Sequence, residues 1–319
     1  MRRDRDKMKY AVIDMGTNVF AALVAERGAS GCCWKGEYKV AARLGDGGLV
    51  HGQLSEPAFV SAHTALDKIF GWLQSYEDLA SVRAYATSAF REAANGSQLQ
   101  QILGQHFSIP IEIISGDREA ELIAKGILAA VPELPSSALL MDIGGGSCEF
   151  ILLRHKKIAW KCSFPLGVAR ILERFQPSDP IQSATIAAIR AYCREVLQPL
   201  QRIIEQEQPQ CLVGSSGSFE TFRDLLYPTH HRISDPEFVP SVTFDRPTLE
   251  KMFRDLIRSK REERMQLRCM TPVRVDFIVL AAIFTQLVLD LLPAGIQIKQ
   301  SSFSLKEGAM VSLLEEAMY

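Results

Sequence analysis

The chain opens with two apolar runs separated by a short turn. Residues 10–14 and 20–26 are mostly apolar, and the tetrapeptide Met-Gly-Thr-Asn lies between them at 15–18. Short apolar runs around a turn that contains glycine are typical of a β-hairpin. The pattern therefore predicts two paired strands with Gly16 in the turn.

The same pattern returns near the middle of the chain. The apolar run 139–142 ends in Asp142, a glycine-rich turn follows at 144–147, and a second apolar run occupies 149–154. In both places the order is strand, aspartate, apolar residue, glycine, small turn, strand. Because an internal echo of this kind indicates a repeated structural unit, we predict that the chain contains a duplication.

Helical and strand patterns fill the rest of the chain. Ser55 is placed to cap a helix whose apolar side chains recur at helical spacing, and residues 117–130 have a helical composition. A second periodic face runs from Ile186 to Ile203, and Pro199 is expected to kink or end that helix. We further predict strands at 82–86, 109–115 and 211–213, a buried core helix at 277–292, and a loop or flap at 232–246.

Composition restricts the classes of protein to consider. The chain has 319 residues, of which 47% are hydrophobic and 23% charged, as in a globular protein with room for two domains. Its net charge of −1 gives no reason to expect a nucleic-acid partner or a membrane surface. The seven cysteines include no Cys-x-x-Cys pair, and the six histidines show no metal-binding spacing. We therefore expect neither a disulfide framework nor a zinc site, and a reducing, cytoplasmic compartment fits best.

Three glycine-rich turns are candidates for phosphate binding. They lie at 16–18, 144–147 and 214–218, each after an apolar strand and each with hydroxyl side chains. Glycine allows backbone N–H groups to approach a phosphate closely. Any one of these turns is equally compatible with an ordinary connection, so the prediction depends on the three together.

Carboxylates beside such turns require a cation. Asp14 and Asp142 end the two strands, and bare carboxylates repel phosphate. A hard cation such as Mg²⁺ between carboxylate and phosphate oxygens resolves this conflict. Glu149 would reach the same place if a strand begins near residue 147, and the alternative is a solvent-facing strand residue.

Hydrolysis of a phosphoanhydride also needs a base for the attacking water. Asp117, Glu119 and Glu121 offer three carboxylates at a predicted helix start, where acidic residues also favour the helix dipole. Arg91 follows a strand and a small turn, a position suited to a bidentate phosphate contact. A surface ion pair is the alternative for Arg91.

An ordered set of motifs resembles one known family. The set resembles the Ppx/GppA (exopolyphosphatase / guanosine pentaphosphate phosphatase) family in its short form, over about residues 10–314. The motifs are Asp-Met-Gly-Thr-Asn at 14–18, Ala-Thr-Ser-Ala-Phe-Arg-Glu-Ala at 86–93, Ile-Ser-Gly-Asp-Arg-Glu-Ala at 114–120, Asp-Ile-Gly-Gly-Gly-Ser at 142–147, Gly-Ser at 217–218 and Leu-Lys-Glu-Gly at 305–308.

The resemblance implies a fold. The expected class is α/β, with two ribonuclease-H-like lobes of the actin, sugar kinase and heat-shock ATPase superfamily and a cleft between them. Residues 1–120 and 303–319 would form the first lobe, and residues 121–302 the second.

The resemblance also implies roles for individual residues. Glu119 is the expected catalytic base, and Asp142 and Glu149 are expected to bind Mg²⁺ or another divalent cation. The residues expected to bind phosphate are Gly16, Thr17, Asn18, Arg91, Gly144, Gly145, Gly146, Ser147, Gly217 and Ser218. The chain departs from the family's usual Ser, Thr, Thr and Arg at Val19, Cys148, Ser218 and Lys306.

Four functions stay open at this point. The leading hypothesis is a phosphohydrolase that releases terminal orthophosphate from inorganic polyphosphate by metal-assisted attack of water. The same chemistry on guanosine pentaphosphate is the first alternative, and an ATP-dependent kinase of the same superfamily is the second. A non-catalytic polyphosphate or nucleotide sensor is the third, favoured by Val19 and Lys306. We expect no nucleic-acid or membrane partner, and a homodimer is one of the assemblies that the sequence leaves open.

Overall fold

The computed structural model describes residues 8–28, 31–45, 52–227 and 233–317. These residues form two compact units. The first unit contains the described residues up to Ala129, those from 233 to Pro240 and those from Phe303 onwards. The second contains Ala130 to 227 and Ser241–Ser302. Each unit is built on a mixed β-sheet with helices, which confirms the predicted α/β class.

The sheet of the first unit begins with the predicted hairpin. β1 (Lys9–Met15) and β2 (Val19–Gly28) pair antiparallel, and β3 (Gly31–Ala41) continues the meander. β4 (Leu79–Ala86) and β5 (Ile111–Ile113) then run parallel to β1, in the order β3-β2-β1-β4-β5. Since the carboxyl ends of β1 and β4 meet at one edge of the sheet, the segments that follow them leave it side by side.

Four of the described helices lie between or after these strands in the chain. α1 (Glu56–Leu73) precedes β4, α2 (Ser88–Glu92) and α3 (Gly96–Phe107) lie between β4 and β5, and α4 (Gly116–Ala130) follows β5. α1 begins where the sequence predicts, because the hydroxyl of Ser55 accepts a hydrogen bond from the amide of Ala58 at 3.4 Å. Its apolar face enters the core of the unit with Ala58, Ala62, Ala65, Leu66, Ile69 and Leu73.

The sheet of the second unit repeats the arrangement of the first. β6 (Ser137–Ile143), β7 (Cys148–Arg154) and β8 (Lys157–Phe164) form an antiparallel meander. β9 (Cys211–Ser215) and β11 (Gln297–Ser301) run parallel to β6, and β10 (Ser241–Phe244) pairs with β11 at the edge. The order β8-β7-β6-β9-β11 matches β3-β2-β1-β4-β5 strand for strand. This repeat confirms the predicted duplication and the ribonuclease-H-like fold.

The helices of the second unit surround one apolar core. The break expected at Pro199 is confirmed, because α6 ends at Val196 and α7 begins at Gln198 with proline in its first turn, where no N–H is needed. The core helix predicted at 277–292 is also confirmed as α11. The helices are α5 (Val168–Phe175), α6 (Ser183–Val196), α7 (Gln198–Glu207), α8 (Ser216–Leu226), α9 (Arg246–Arg258), α10 (Arg261–Met265) and α11 (Phe277–Leu291).

Among the described residues, no helix combines the length and the apolar character needed to span a membrane.

The loop predicted at 232–246 is wrong in part. Residues 241–244 form β10, and Asp245 then caps α9 by accepting a hydrogen bond from the amide of Thr248 at 3.0 Å. A four-residue edge strand is too short for its alternation to be read from sequence, and its pairing with β11 is what stabilises it. Arg232, His230 and His231 lie outside the described residues.

The last helix, α12 (Leu305–Glu316), belongs to the first unit and lies in direct backbone contact with α4. A Cβ atom at Gly308 would lie 1.8 Å from the carbonyl oxygen of Leu122, and one at Gly126 would lie 2.0 Å from that of Ser304. Only glycine fits at both positions. The crossing therefore fixes α4, the helix that carries Glu119.

Candidate active site

The turn between β1 and β2 presents backbone donors. The amide of Gly16 donates to the carbonyl of Val19 at 3.2 Å, and a Cβ at Gly16 would lie 3.0 Å from that oxygen. The carbonyl oxygens of Thr17 and Asn18 accept hydrogen bonds from the amides of residues 42–44 at 2.7 to 3.1 Å. Within the described residues, the amides of Thr17 and Asn18 have no backbone acceptor, so they can donate to an anion.

The turn between β6 and β7 has the same geometry. The amide of Gly144 donates to the carbonyl of Ser147 at 3.0 Å, and a Cβ at Gly144 would again lie 3.0 Å from that oxygen. The carbonyl oxygens of residues 144–146 accept hydrogen bonds from the start of α5, including one from Arg170 Nε to Gly146 at 3.0 Å. Both turns therefore direct their carbonyl groups into their own unit.

Residues 214–218 do not form the turn that the sequence suggests. β9 extends to Ser215 and α8 begins at Ser216, so Gly217 and Ser218 lie in the first turn of a helix. The unpaired N–H groups and the dipole at such a helix start favour an anion. The two expected phosphate-binding residues thus lie on an element suited to that task, and Ser216 makes the sharp junction with a φ of +68°.

Asp142 and Glu149 are neighbours across the β6–β7 ladder. They are Cα partners in the antiparallel pair, and their surfaces are 5% and 1% exposed. Asp142 accepts hydrogen bonds from the hydroxyls of Ser215 and Ser216, each at 2.6 Å, and Glu149 accepts one from Ser163 at 2.7 Å. The burial of Glu149 excludes the alternative of a solvent-facing strand residue.

The donor groups at this pair suit a hard cation. Carboxylate and hydroxyl oxygens are the ligands that Mg²⁺ prefers. Burial, and after it the charges of Glu149 and Asp142, raise the pKa of the Cys148 thiol well above its ordinary value. Asp142 and Glu149 are both buried and face each other across the ladder, so a divalent cation between them would offset two carboxylate charges, and the residues present fit the metal that the resemblance implies.

Arg91 and Glu119 form an ion pair in the first unit. Arg91, on α2, donates from Nη1 to Glu119 Oε2 at 2.8 Å and to the carbonyl of Ile114 at 2.9 Å. Glu119, in the first turn of α4, is 6% exposed. In the described part of the chain, neither Nε nor Nη2 of Arg91 has an acceptor, so these donors can contact a phosphate oxygen. The ion pair that the sequence left open is therefore present, and its carboxylate is the expected base.

The other two acids near the start of α4 are exposed. Glu121 pairs with Arg118 at 3.4 Å across one helical turn. Asp117 also faces solvent, and the helix cap is Ser115, whose hydroxyl accepts a hydrogen bond from the amide of Arg118 at 3.2 Å. Glu119 is thus the one buried acid of the three.

Two departures from the family pattern have structural explanations. Val19 contributes its backbone carbonyl to the turn at Gly16, which any residue can do. Lys306 is buried on α12, and its ammonium pairs with Glu37 at 2.9 Å and with Glu307 at 2.8 Å. Neither residue disturbs the turn geometry described above.

Comparison with known proteins identifies the family. The sequence profile of the Ppx/GppA phosphatase family matches residues 24–317. The chain belongs to the Ppx/GppA phosphatase family.

Ppx/GppA relatives are similar to the chain in sequence and in fold. Exopolyphosphatase 2 from Mycobacterium tuberculosis is 29% identical over 283 residues, which cover 85% of this chain and 86% of that protein. The crystal structure of an exopolyphosphatase from Cytophaga hutchinsonii is 34% identical, with a TM-score of 0.90 over 97% of this chain and 98% of that one. An Aquifex aeolicus member of the Ppx/GppA family, 20% identical, has a TM-score of 0.79 over 98% and 99% of the two chains and shows the shared fold.

Sequence reasoning missed several residues of this Ppx/GppA site. Ser163, Ser215 and Ser216 orient the two carboxylates, but their contacts depend on which strands are neighbours in the sheet. Gly167 caps α5, and a Cβ there would lie 2.2 Å from the carbonyl oxygen of Gly145. A glycine three residues after the end of β8, directly before a helix, was the signal that could have revealed it.

Proposed function

We propose that this Ppx/GppA-family protein releases terminal orthophosphate from inorganic polyphosphate by attack of water. The observation that carries the proposal is the buried pair Asp142 and Glu149 beside a turn whose carbonyl groups at 144–146 are all bound within the unit. A site that offers both amide donors and carboxylates can bind a phosphate only if a cation lies between the carboxylates and the phosphate oxygens. The relatives from Mycobacterium tuberculosis and Cytophaga hutchinsonii, both named as exopolyphosphatases, support polyphosphate as the substrate.

Phosphate binding is assigned to backbone and charged donors. The amides and hydroxyls at 16–18 and 144–147, the start of α8 at Gly217 and Ser218, and the guanidinium of Arg91 would contact phosphate oxygens. These donors recognise a repeating anion that has no base or sugar. They therefore suit a polyphosphate chain.

Asp142 and Glu149 would hold Mg²⁺ or another divalent cation. Such an ion, when bound, neutralises charge on phosphate oxygens and makes the phosphorus easier to attack. The hydroxyls of Ser163, Ser215 and Ser216 would keep the two carboxylates oriented toward it.

Glu119 is the proposed base. The water oxygen attacks the terminal phosphorus, the bridging P–O bond breaks, and the water proton passes to the Glu119 carboxylate. The products are orthophosphate and a chain shorter by one phosphate. Arg91 holds Glu119 Oε2 by the ion pair and so fixes the carboxylate that receives the proton.

The cellular location and the oligomeric state of the protein are further proposals. We place the protein in the cytoplasm, because its seven cysteines are free thiols, as expected in a reducing compartment. A homodimer stays a prediction.

Phosphate release tests the proposed function. We would measure it from polyphosphate, guanosine pentaphosphate and ATP side by side, with Mg²⁺ and with excess chelator. We expect the fastest release from polyphosphate, its loss in chelator, and its recovery when Mg²⁺ is restored. Faster release from guanosine pentaphosphate would favour that substrate. Undiminished release in chelator would contradict the proposed role of a metal ion. Tight binding of polyphosphate without any turnover would make the protein a sensor.

A further inference from the structure

A group of potential metal ligands lies in the first unit, on residues that the proposed function does not use. His63 and Asp67 lie on α1, and His106 lies in the last turn of α3. One ligand atom from each of the three residues falls within 4.8 Å of the others. The expectation that the histidines have no metal-binding arrangement is therefore incomplete, because it considered spacing along the chain alone.

Helix geometry accounts for two of the three ligands. His63 and Asp67 are four residues apart, so they share one face of α1, and His63 Nδ1 lies 3.0 Å from Asp67 Oδ2. Two ligands held by one metal with bonds of about 2.0–2.1 Å are separated by roughly 3.0–3.4 Å, depending on coordination geometry. The observed pair already has nearly that separation.

Aromatic packing brings in the third ligand. The rings of His63 and His106 have centroids 4.3 Å apart. Phe107 contacts both imidazoles and stacks on Phe70 of α1, with centroids 4.9 Å apart. This contact holds α1 and α3 together beside the three ligands. To bind one ion, the ligand atoms, which now lie within 4.8 Å of one another, would move closer by rotation of their side chains.

We propose that His63, Asp67 and His106 bind a divalent transition-metal ion such as Zn²⁺ or Ni²⁺. Two imidazoles and one carboxylate suit these metals, whereas Mg²⁺ prefers oxygen ligands alone, so this site differs in chemistry from the pair Asp142 and Glu149. Three protein ligands leave at least one position for water. The side chains of His63 and Asp67 are 36% and 55% exposed, so the ion can reach the site directly from solvent.

The bound ion would cross-link α1 and α3. A ligand that binds only the folded state raises its stability by mass action, so the metal is expected to stabilise the first unit. The ordinary alternative is a surface contact between His63 and Asp67, which contributes little on its own. The two explanations differ in whether a metal ion binds with the participation of His106.

Calorimetric titration of the full chain with Zn²⁺, Ni²⁺ and Mg²⁺ tests the proposal, with thermal unfolding as a second readout. We would compare the wild type with His106→Gln, which keeps bulk on α3, and with the control His155→Asn, which removes an exposed histidine elsewhere. His155 has a φ of +47°, a conformation that asparagine tolerates.

We expect a Zn²⁺- and Ni²⁺-binding event that is retained in His155→Asn and weakened at least tenfold in His106→Gln. Zn²⁺ should raise the melting temperature of the wild type and of His155→Asn by several degrees, and that of His106→Gln much less. The absence of this binding event in the wild type would overturn the proposal. Equal Zn²⁺ affinity in His106→Gln and the wild type would also overturn it, because the metal would then bind elsewhere.

Discussion

Arg91 has two tasks in this account. Its Nη1 holds Glu119 and the carbonyl of Ile114, and its remaining donors are assigned to phosphate. Because one guanidinium serves both the base and the substrate, a substitution there should affect turnover as well as binding. The sequence alone treats the ion pair and the phosphate contact as alternatives, whereas the geometry is compatible with both.

Arg91→Ala is therefore expected to change two kinetic constants. KM for polyphosphate should rise about tenfold or more, since a hydrogen bond to a charged group contributes about 1.5–3 kcal/mol. The value of kcat should fall as well, because Glu119 loses the partner that positions it. Steady-state phosphate release measures both constants.

The matched control is Arg118→Ala, which removes the exposed ion pair with Glu121 on α4. Exposed pairs contribute little, so both constants should stay within a few-fold of the wild type. If the Arg91→Ala protein folds and its KM and kcat are unchanged, Arg91 forms a structural ion pair and contributes neither to phosphate binding nor to turnover.

At the scale of secondary-structure elements, one family motif allows two helices of the first unit to pack closely. The Leu-Lys-Glu-Gly motif at 305–308 ends in a glycine that allows α12 to touch α4. Lys306, in the same motif, is buried between Glu37 and Glu307. The motif is therefore explained by packing in the first unit. It packs α12 against α4, and this contact holds the helix that carries Glu119.

Gly308→Ala should destabilise the protein. The new methyl group would lie 1.8 Å from the carbonyl oxygen of Leu122, so the helices must separate. Overpacking of this kind typically costs about 1–3 kcal/mol. Because the methyl group would meet backbone atoms, we expect a loss of stability at or above the upper end of this range. Urea unfolding followed by circular dichroism measures the change in the free energy of unfolding.

Gly71→Ala is the control, because Gly71 lies exposed on α1 and a Cβ there meets nothing within 4 Å. Gly71 lies in the last turn of α1, where alanine is favoured over glycine by at most about 1 kcal/mol, so this variant should be neutral or more stable. Equal stability of the two variants would contradict the close contact between α4 and α12.

Elements with a strong local signal could be predicted from the sequence. The two hairpins follow from short apolar runs on either side of a turn that contains glycine, and the break between α6 and α7 follows from Pro199. β10 could not be predicted, because it is four residues long and depends on pairing with β11. The start of α8 was also missed, because Gly214 and the following serines resemble a turn.

At the scale of the whole molecule, the contacts that complete the site come from residues distant in sequence. Ser215 reaches Asp142 because β9 lies next to β6, although the residues are 73 positions apart. Ser163 reaches Glu149 because β8 lies next to β7. Periodicity and motifs identify the carboxylates, whereas strand order, which decides their partners, is not visible in any local segment.

The duplicated sheets carry different chemical groups. In the second unit Asp142 faces Glu149 across the ladder, whereas in the first the corresponding Asp14 faces Ala21. The paired carboxylates proposed to hold the cation therefore occur at the turn of the second unit. The first unit instead carries the buried acid Glu119 with Arg91. In the proposed function, metal binding is thus assigned to the second unit and proton transfer to the first, although the two sheets share one strand order.

Turnover of polyphosphate by Glu119→Gln and Glu121→Gln tests the central claim most directly. Glutamine keeps the size of the side chain but cannot accept the proton from water, and loss of a general base costs about 10²–10⁴-fold in rate. With Mg²⁺ present, we predict that Glu119→Gln loses kcat by that factor with KM nearly unchanged. Glu121→Gln should stay within a few-fold of the wild type, because Glu121 is exposed and pairs with Arg118. An active Glu119→Gln protein beside an inactive Glu121→Gln protein would contradict the account.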